Sequence, residues 1–119
     1  MKKKNQNIEI PLQLNYVDSI KKLMLDWAKQ NEIKLHTIDC VVPFVIADKS
    51  LSVWLFYETE QIKKEYETNG KNEVVKNKYL HLLKEENYPN EYLKEVCFFI
   101  DTDENVVKNF EGNYFYRLR

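Results

Sequence analysis

Gly70 and Gly112 are the only glycines in the chain. A loop that cradles phosphate through closely approaching backbone N–H groups needs more than that, so nucleotide binding of the P-loop or dinucleotide kind has no foothold. Cysteine is equally scarce. Cys40 and Cys97 each lie inside an apolar run, where a thiol behaves as a small buried hydrophobe. No structural disulfide is expected, and Cys97 has neither the adjacent base nor the electropositive setting of a nucleophile. No apolar stretch reaches the ~18 residues that span a bilayer. Met1-Lys2-Lys3-Lys4 runs into Asn5-Gln6-Asn7 and not into the apolar core of a signal peptide, which points to a cytoplasmic protein without a membrane partner. An excess of either charge is also missing. The formal net charge is −1, from 18 basic and 19 acidic side chains interleaved along the chain, so nothing marks a phosphate-binding surface and nucleic acid is not an expected partner.

Arginine and alanine are as rare as glycine. Lysine outnumbers arginine sixteen to two, asparagine occurs twelve times and alanine twice, a bias that AT-rich codon usage produces. A low-GC bacterium or phage is the expected source. In such a background Arg117 and Arg119 stand together at the C-terminal end, and their planar forks grip carboxylate or phosphate in a way lysine does not replace.

What the chain does have is one junction written twice. Phe56-Tyr57-Glu58-Thr59-Glu60 and Phe99-Ile100-Asp101-Thr102-Asp103 each end an apolar run with an acid-Thr-acid triplet. Val53 and Val96 precede them at the same distance, and Tyr66-Glu67 and Phe110-Glu111 follow with a one-residue slip. Both read as strand-to-helix transitions.

Around these junctions the periodicity predicts an α+β domain, two-layered or three-layered, over residues 15–119. Residues 1–14, with Ile8, Ile10, Leu12 and Leu14 alternating around Pro11, read as an extended arm or edge strand. A helix is predicted from Asn15 to about Asn31, with Tyr16, Ile20, Leu23, Met24 and Trp27 on one face. From Ile33 to Ala47 the period changes to two, which predicts a long strand bent near Pro43. Asp48-Lys49-Ser50 turns the chain into a second strand over 51–57, apolar on both faces. Thr59 caps a helix that ends at Asn69-Gly70, and Asn72 starts another that buries Val75, Tyr79, Leu82 and Leu83 and stops at Asn87-Tyr88-Pro89-Asn90. A strand over 96–100, a helix from Thr102 to about Phe110 and a last strand over Tyr114–Leu118 complete the order α-β-β-α-α-β-α-β, with a mixed sheet of four or five strands.

Two functional readings follow. If the strands before Glu58 and Asp101 run parallel, both triplets emerge at one sheet edge, where ligand sites of open α/β sheets collect. Glu58, Glu60, Asp101 and Asp103 could then gather Mg²⁺ for phosphoester hydrolysis. The plainer reading of the same residues is two helix starts, with threonine accepting an amide hydrogen bond and acids complementing the helix dipole. A nuclease pattern Asp…(Asp/Glu)-x-Lys is not complete, because position 60 holds glutamate where lysine should stand. His36 and Cys40, four residues apart on a strand, are ~13 Å from each other and do not suit one zinc ion. His81 has no second histidine or cysteine at i+4.

The second reading rests on aromatics, which make up 13% of the chain. Tyr88, Tyr92, Tyr114 and Tyr116, together with Arg117 and Arg119, are of the residue types that anchor protein interfaces. An aromatic C-terminal edge strand could pair with another chain. The favoured expectation is a non-catalytic binding protein without a cofactor, such as an immunity protein or inhibitor, or a homodimeric module whose partner is a protein or a second copy. The alternative is the Mg²⁺-dependent hydrolase, phosphoesterase or nuclease-like.

Overall fold

A computed structural model describes residues 10–118. Its elements are α1 (Leu14–Gln30), β1 (Leu35–Val41), β2 (Leu51–Tyr57), α2 (Glu60–Thr68), α3 (Lys71–Glu85), α4 (Asn90–Leu93), β3 (Val96–Thr102), α5 (Asp103–Asn109) and α6 (Tyr114–Arg117). The strands form one mixed sheet in the order β1-β2-β3, with β1 antiparallel and β3 parallel to β2. A register shift between Leu35 and Thr37 marks a bulge in β1.

The alternation along β2 sorts the sheet into two faces. Leu51, Val53, Leu55 and Tyr57 are buried on the inner face together with Ile20, Met24 and Ala28 of α1, Tyr66 of α2, and Val75, Tyr79, Leu82 and Leu83 of α3. That cluster is the core, and each large apolar side chain in it contributes roughly 1.5–3 kcal/mol relative to exposure. Leu23, placed by periodicity on the buried stripe of α1, lies off it and is exposed. The outer face carries Ser52, Trp54 and Phe56 of β2 beside Cys97, Phe99 and Asp101 of β3. Only part of it is covered. Phe56 is fully buried, under the ring of Tyr114 at 4.7 Å, whereas Phe99 and Cys97 remain exposed.

Helix ends follow local chemistry. Thr59 and Thr102 cap α2 and α5, accepting from Ile62 N at 3.2 Å and Asn105 N at 3.0 Å. Gly70 has φ +83°, a conformation that costs glycine no Cβ clash, and it lets α3 restart directly after Asn69. The ends of α1 and α3 close alike, with Ile33 N bonding Ala28 O and Tyr88 N bonding Leu83 O, whereas α5 closes one residue wider, with Gly112 N bonding Val106 O. The first two closures leave Glu32 and Asn87 at positive φ, and the third leaves both Glu111 and Gly112 there.

Gln13 holds the start of α1 to the β1–β2 connection. Its side chain is buried and its Nε2 donates to Asp48 O at 3.0 Å and Ser50 O at 2.9 Å. Gln13→Leu would strand two carbonyls and should cost about 1–3 kcal/mol, measured as a lower urea midpoint with an unchanged slope.

Four expectations need correction. The sheet has three strands and not four or five. Tyr114–Arg117 is a short helix and not a strand, because Asn113 accepts from Tyr116 N at 3.1 Å and turns the chain. The long strand over 33–47 is confined to Leu35–Val41; Pro43 has no N–H for the ladder, and Asp48 N bonds Val45 O to make a turn. Residues 10–13 are not a strand either: Leu14 N bonds Pro11 O in a turn that enters α1. The rest of the expected arm, residues 1–9, lies outside the described residues. Arg119 does too.

Candidate functional site

The condition on the twin junctions is met, since β2 and β3 are parallel neighbours and Tyr57 pairs with Thr102. Both triplets therefore stand at one edge of the sheet. They are tied to each other there. Glu60 N donates to Glu104 Oε1 at 2.8 Å, Glu104 N donates to Glu58 O at 3.2 Å, and the Thr102 hydroxyl donates to Glu60 Oε2. Each threonine so serves its own helix, and Thr102 also holds an acid of the other junction.

Asp101 and Asp103 point into the outer face and meet the C-terminal segment. Asp101 is 4% exposed. Asn105 Nδ2 donates to both of its oxygens, at 3.1 and 3.0 Å, and Arg117 Nε donates to Oδ2. The guanidinium lies over Trp54, 4.6 Å from the ring centre, and 5.3 Å from that of Phe110. The Tyr114 hydroxyl donates to Asp103 Oδ1, and His36 Nε2 lies 3.4 Å from the same oxygen. The rings of His36 and Tyr114 are nearly parallel, with centres 6.3 Å apart. Loss of solvent, and then the neighbouring Asp103, raise the Tyr114 phenol above its ordinary value. These contacts form a clasp that lays residues 110–117 across all three strands.

Two residues from each of the sets singled out by the sequence are thus each other's partners. Arg117 and Tyr114, expected to face another molecule, hold Asp101 and Asp103, expected to face a metal ion. Among the described residues no group of three or more His, Cys, Asp or Glu side chains is placed to hold a metal. Tyr88 is buried in the core, edge-on to Tyr16 at 4.9 Å and near Tyr92 at 5.9 Å. Burial raises its phenol to about 12. Tyr92 is half-buried beneath Lys49. Tyr116 is the member of the expected partner-binding set that is half exposed.

A feature that periodicity missed lies at the other end of β1. Residues 42–50 leave the sheet, and Phe44 is 100% exposed, with Val45, Ile46, Val41, Ile10 and Leu14 also exposed around it. Between α1 and this loop runs an apolar groove of ≈ 430 Å³, lined by Leu14, Val17, Cys40, Val42, Pro43 and Phe44. Burial raises the Cys40 thiol, whose Sγ lies 3.4 Å from the Tyr79 hydroxyl, so the floor of the groove stays uncharged. Charges of both signs lie near it. Asp39, Lys21 and Asp18 are each close enough to Cys40 to influence it, and exposed Asp48 is held below the usual carboxyl range by the Ser50 amide. Asp39, raised by its burial, lies 4.0 Å from Lys21. The signal in the sequence was the run Val41-Val42-Pro43-Phe44-Val45-Ile46, which a proline makes unsuitable for an uninterrupted strand.

Among the described residues no helix is long and apolar enough to cross a membrane. In comparisons with protein-family models, curated proteins and solved structures, the chain matches none.

Proposed function

We propose that the chain is a small non-catalytic binding protein of a low-GC bacterium or phage, acting in the cytoplasm as an immunity protein or inhibitor does, by occupying a partner protein. The observation that carries this reading is the fully exposed Phe44 at the mouth of an apolar groove. Exposed apolar residues scattered singly need no explanation, but a contiguous set beside a concavity is what interaction sites are made of. The partner element that fits is an apolar segment, since Leu14, Val17, Val42, Pro43 and Phe44 line the groove and Cys40 stays uncharged. Aromatic anchors of the Phe44 kind carry much of the energy at such contacts.

The rival reading, a Mg²⁺-dependent hydrolase, has the parallel strands in its favour. Against it stands the engagement of Glu60, Asp101 and Asp103 by Thr102, Asn105, Arg117 and Tyr114.

The test uses two fluorescent peptides of equal length and equal charge, one amphipathic with leucine along one helical face and one with serine in place of each leucine. Anisotropy should show saturable binding of the leucine peptide only. Phe44→Asp should weaken that binding about tenfold or more, ~1.4 kcal/mol, with the unfolding midpoint unchanged because the side chain is already in solvent. Equal binding of both peptides, or equal binding to wild type and Phe44→Asp, would refute the proposal.

A further inference from the structure

The two edges of the sheet are built differently. β1 carries a bulge, the polar His36 and the charged Asp39, devices that discourage another strand from pairing. β3 opens with Val96-Cys97-Phe98-Phe99-Ile100, without a charge, a proline or a bulge. The ladder shows which of its backbone groups have no strand beside them among the described residues. Leu51 N bonds Glu95 O, so in a parallel pair the odd-numbered residues of β3 face β2, and Val96, Phe98 and Ile100 aim their N–H and C=O groups outward.

We infer that the chain forms a two-fold homodimer in which β3 pairs antiparallel with β3 of a second copy, centred on Phe98, to give one continuous six-stranded sheet. The run is close to palindromic in chemistry, which favours a second copy over an unrelated strand. A two-fold axis at Phe98 sets Val96 opposite Ile100, Phe98 opposite Phe98 and Cys97 opposite Phe99. The pairs are β-branched with β-branched, ring with ring and sulfur with ring, all favourable across strands. In this register the outward-facing residues of one copy meet those of the other, so the ladder bonds close on both sides of the axis. The covered side chains are ones that the single chain leaves open: Phe99 is 43% exposed, Cys97 is exposed, and Val96, Phe98 and Ile100 are half-buried at the edge of the core. At the ends Glu95 comes opposite Asp101 of the second copy, whose charge Arg117 already meets, so two bare acids do not face each other. The inference does not depend on the groove beside Phe44, which lies on the far side of β1.

Sedimentation equilibrium of the full chain should give twice the chain mass of 14.4 kDa. Cys97→Lys combined with Phe99→Lys, both on the outer face, should give the monomer mass while the far-ultraviolet circular dichroism stays unchanged. In the Cys40→Ser background, with β3 intact, a short bis-maleimide should join Cys97 to Cys97, because this register places them as diagonal neighbours roughly 7–8 Å apart. A monomer at all concentrations overturns the inference. So does a dimer that survives the double lysine substitution, or one that the reagent fails to join through Cys97.

Discussion

Arg117→Met should lower the unfolding free energy by about 2–4 kcal/mol. The substitution removes the cation from Asp101, whose side chain is 5% exposed, and leaves Asn105 as its remaining donor. Removing one partner of a fully buried pair costs about 3–5 kcal/mol, because the other charge is left without compensation. Arg117 itself is 26% exposed, so water screens part of the interaction and the expected loss is trimmed accordingly. The contacts of the guanidinium with Trp54 and Phe110 add about 0.5–1 kcal/mol each at such partly exposed sites. Methionine keeps the apolar stem, so the loss reports the charge and not the packing. Arg117→Lys should recover only part of it, since an ammonium neither forks onto a carboxyl nor stacks on indole. Urea titration followed by tryptophan fluorescence, with Trp54 directly beneath the substituted group, measures both.

The second large effect is alkaline unfolding. Tyr57, Tyr79 and Tyr88 are almost fully buried, and loss of solvent raises all three phenols, Tyr88 to about 12 and the other two further. An unfolded tyrosine releases its proton near pH 10. Below that pH both states are neutral and the stability is fully present. Above it the unfolded state ionises first, and stability falls as pH rises toward the folded values. Each of the three contributes a loss of up to about 1.4 kcal/mol per pH unit. The fold should therefore unfold cooperatively between about pH 10 and pH 12. Tyr57 offers a clean control because its buried hydroxyl has no hydrogen-bond partner among the described residues. Tyr57→Phe should leave the stability near pH 8 unchanged or raise it by about 1 kcal/mol, and should flatten the alkaline fall by one tyrosine's share. An equal alkaline loss in wild type and Tyr57→Phe would show that Tyr57 does not titrate with unfolding.

Much of the architecture was legible because it depends on local chemistry. Thr59 and Thr102 are caps in the sequence and in the structure, and the even and odd positions of β2 divide between the two faces as alternation requires. The parallel relation of β2 and β3, which stood as a condition in the sequence, is the one a helical crossover favours. The segments that failed are those in which one residue overrides a pattern. Alternation continues through Val45, yet Pro43 takes the chain out of the ladder, and what looked like the far half of a strand is an exposed apolar loop. Tyr114-Phe115-Tyr116 has strong strand propensity, but the Asn113 side chain turns it into a helix, and Arg117 anchors that helix on Asp101. Glu32 and Glu111 adopt positive φ at helix ends, a role that nothing in a glutamate announces. The site was half legible for the same reason. Residue types pointed to Arg117, Tyr114, Asp101 and Asp103 one by one, but only the tertiary fold shows that the arginine and tyrosine are aimed inward at the acids.

The most direct test of that internal pairing is a double-mutant cycle on stability, with Asp101→Ala, Arg117→Met and the combined variant compared with wild type by urea unfolding. If the C-terminal segment is held by the Asp101–Arg117 pair, the double variant will be less destabilised than the sum of the singles, with a coupling energy above about 1.5 kcal/mol. Additivity within about 0.5 kcal/mol would mean that the two side chains act independently, and would return Arg117 to the pool of residues free to meet a partner.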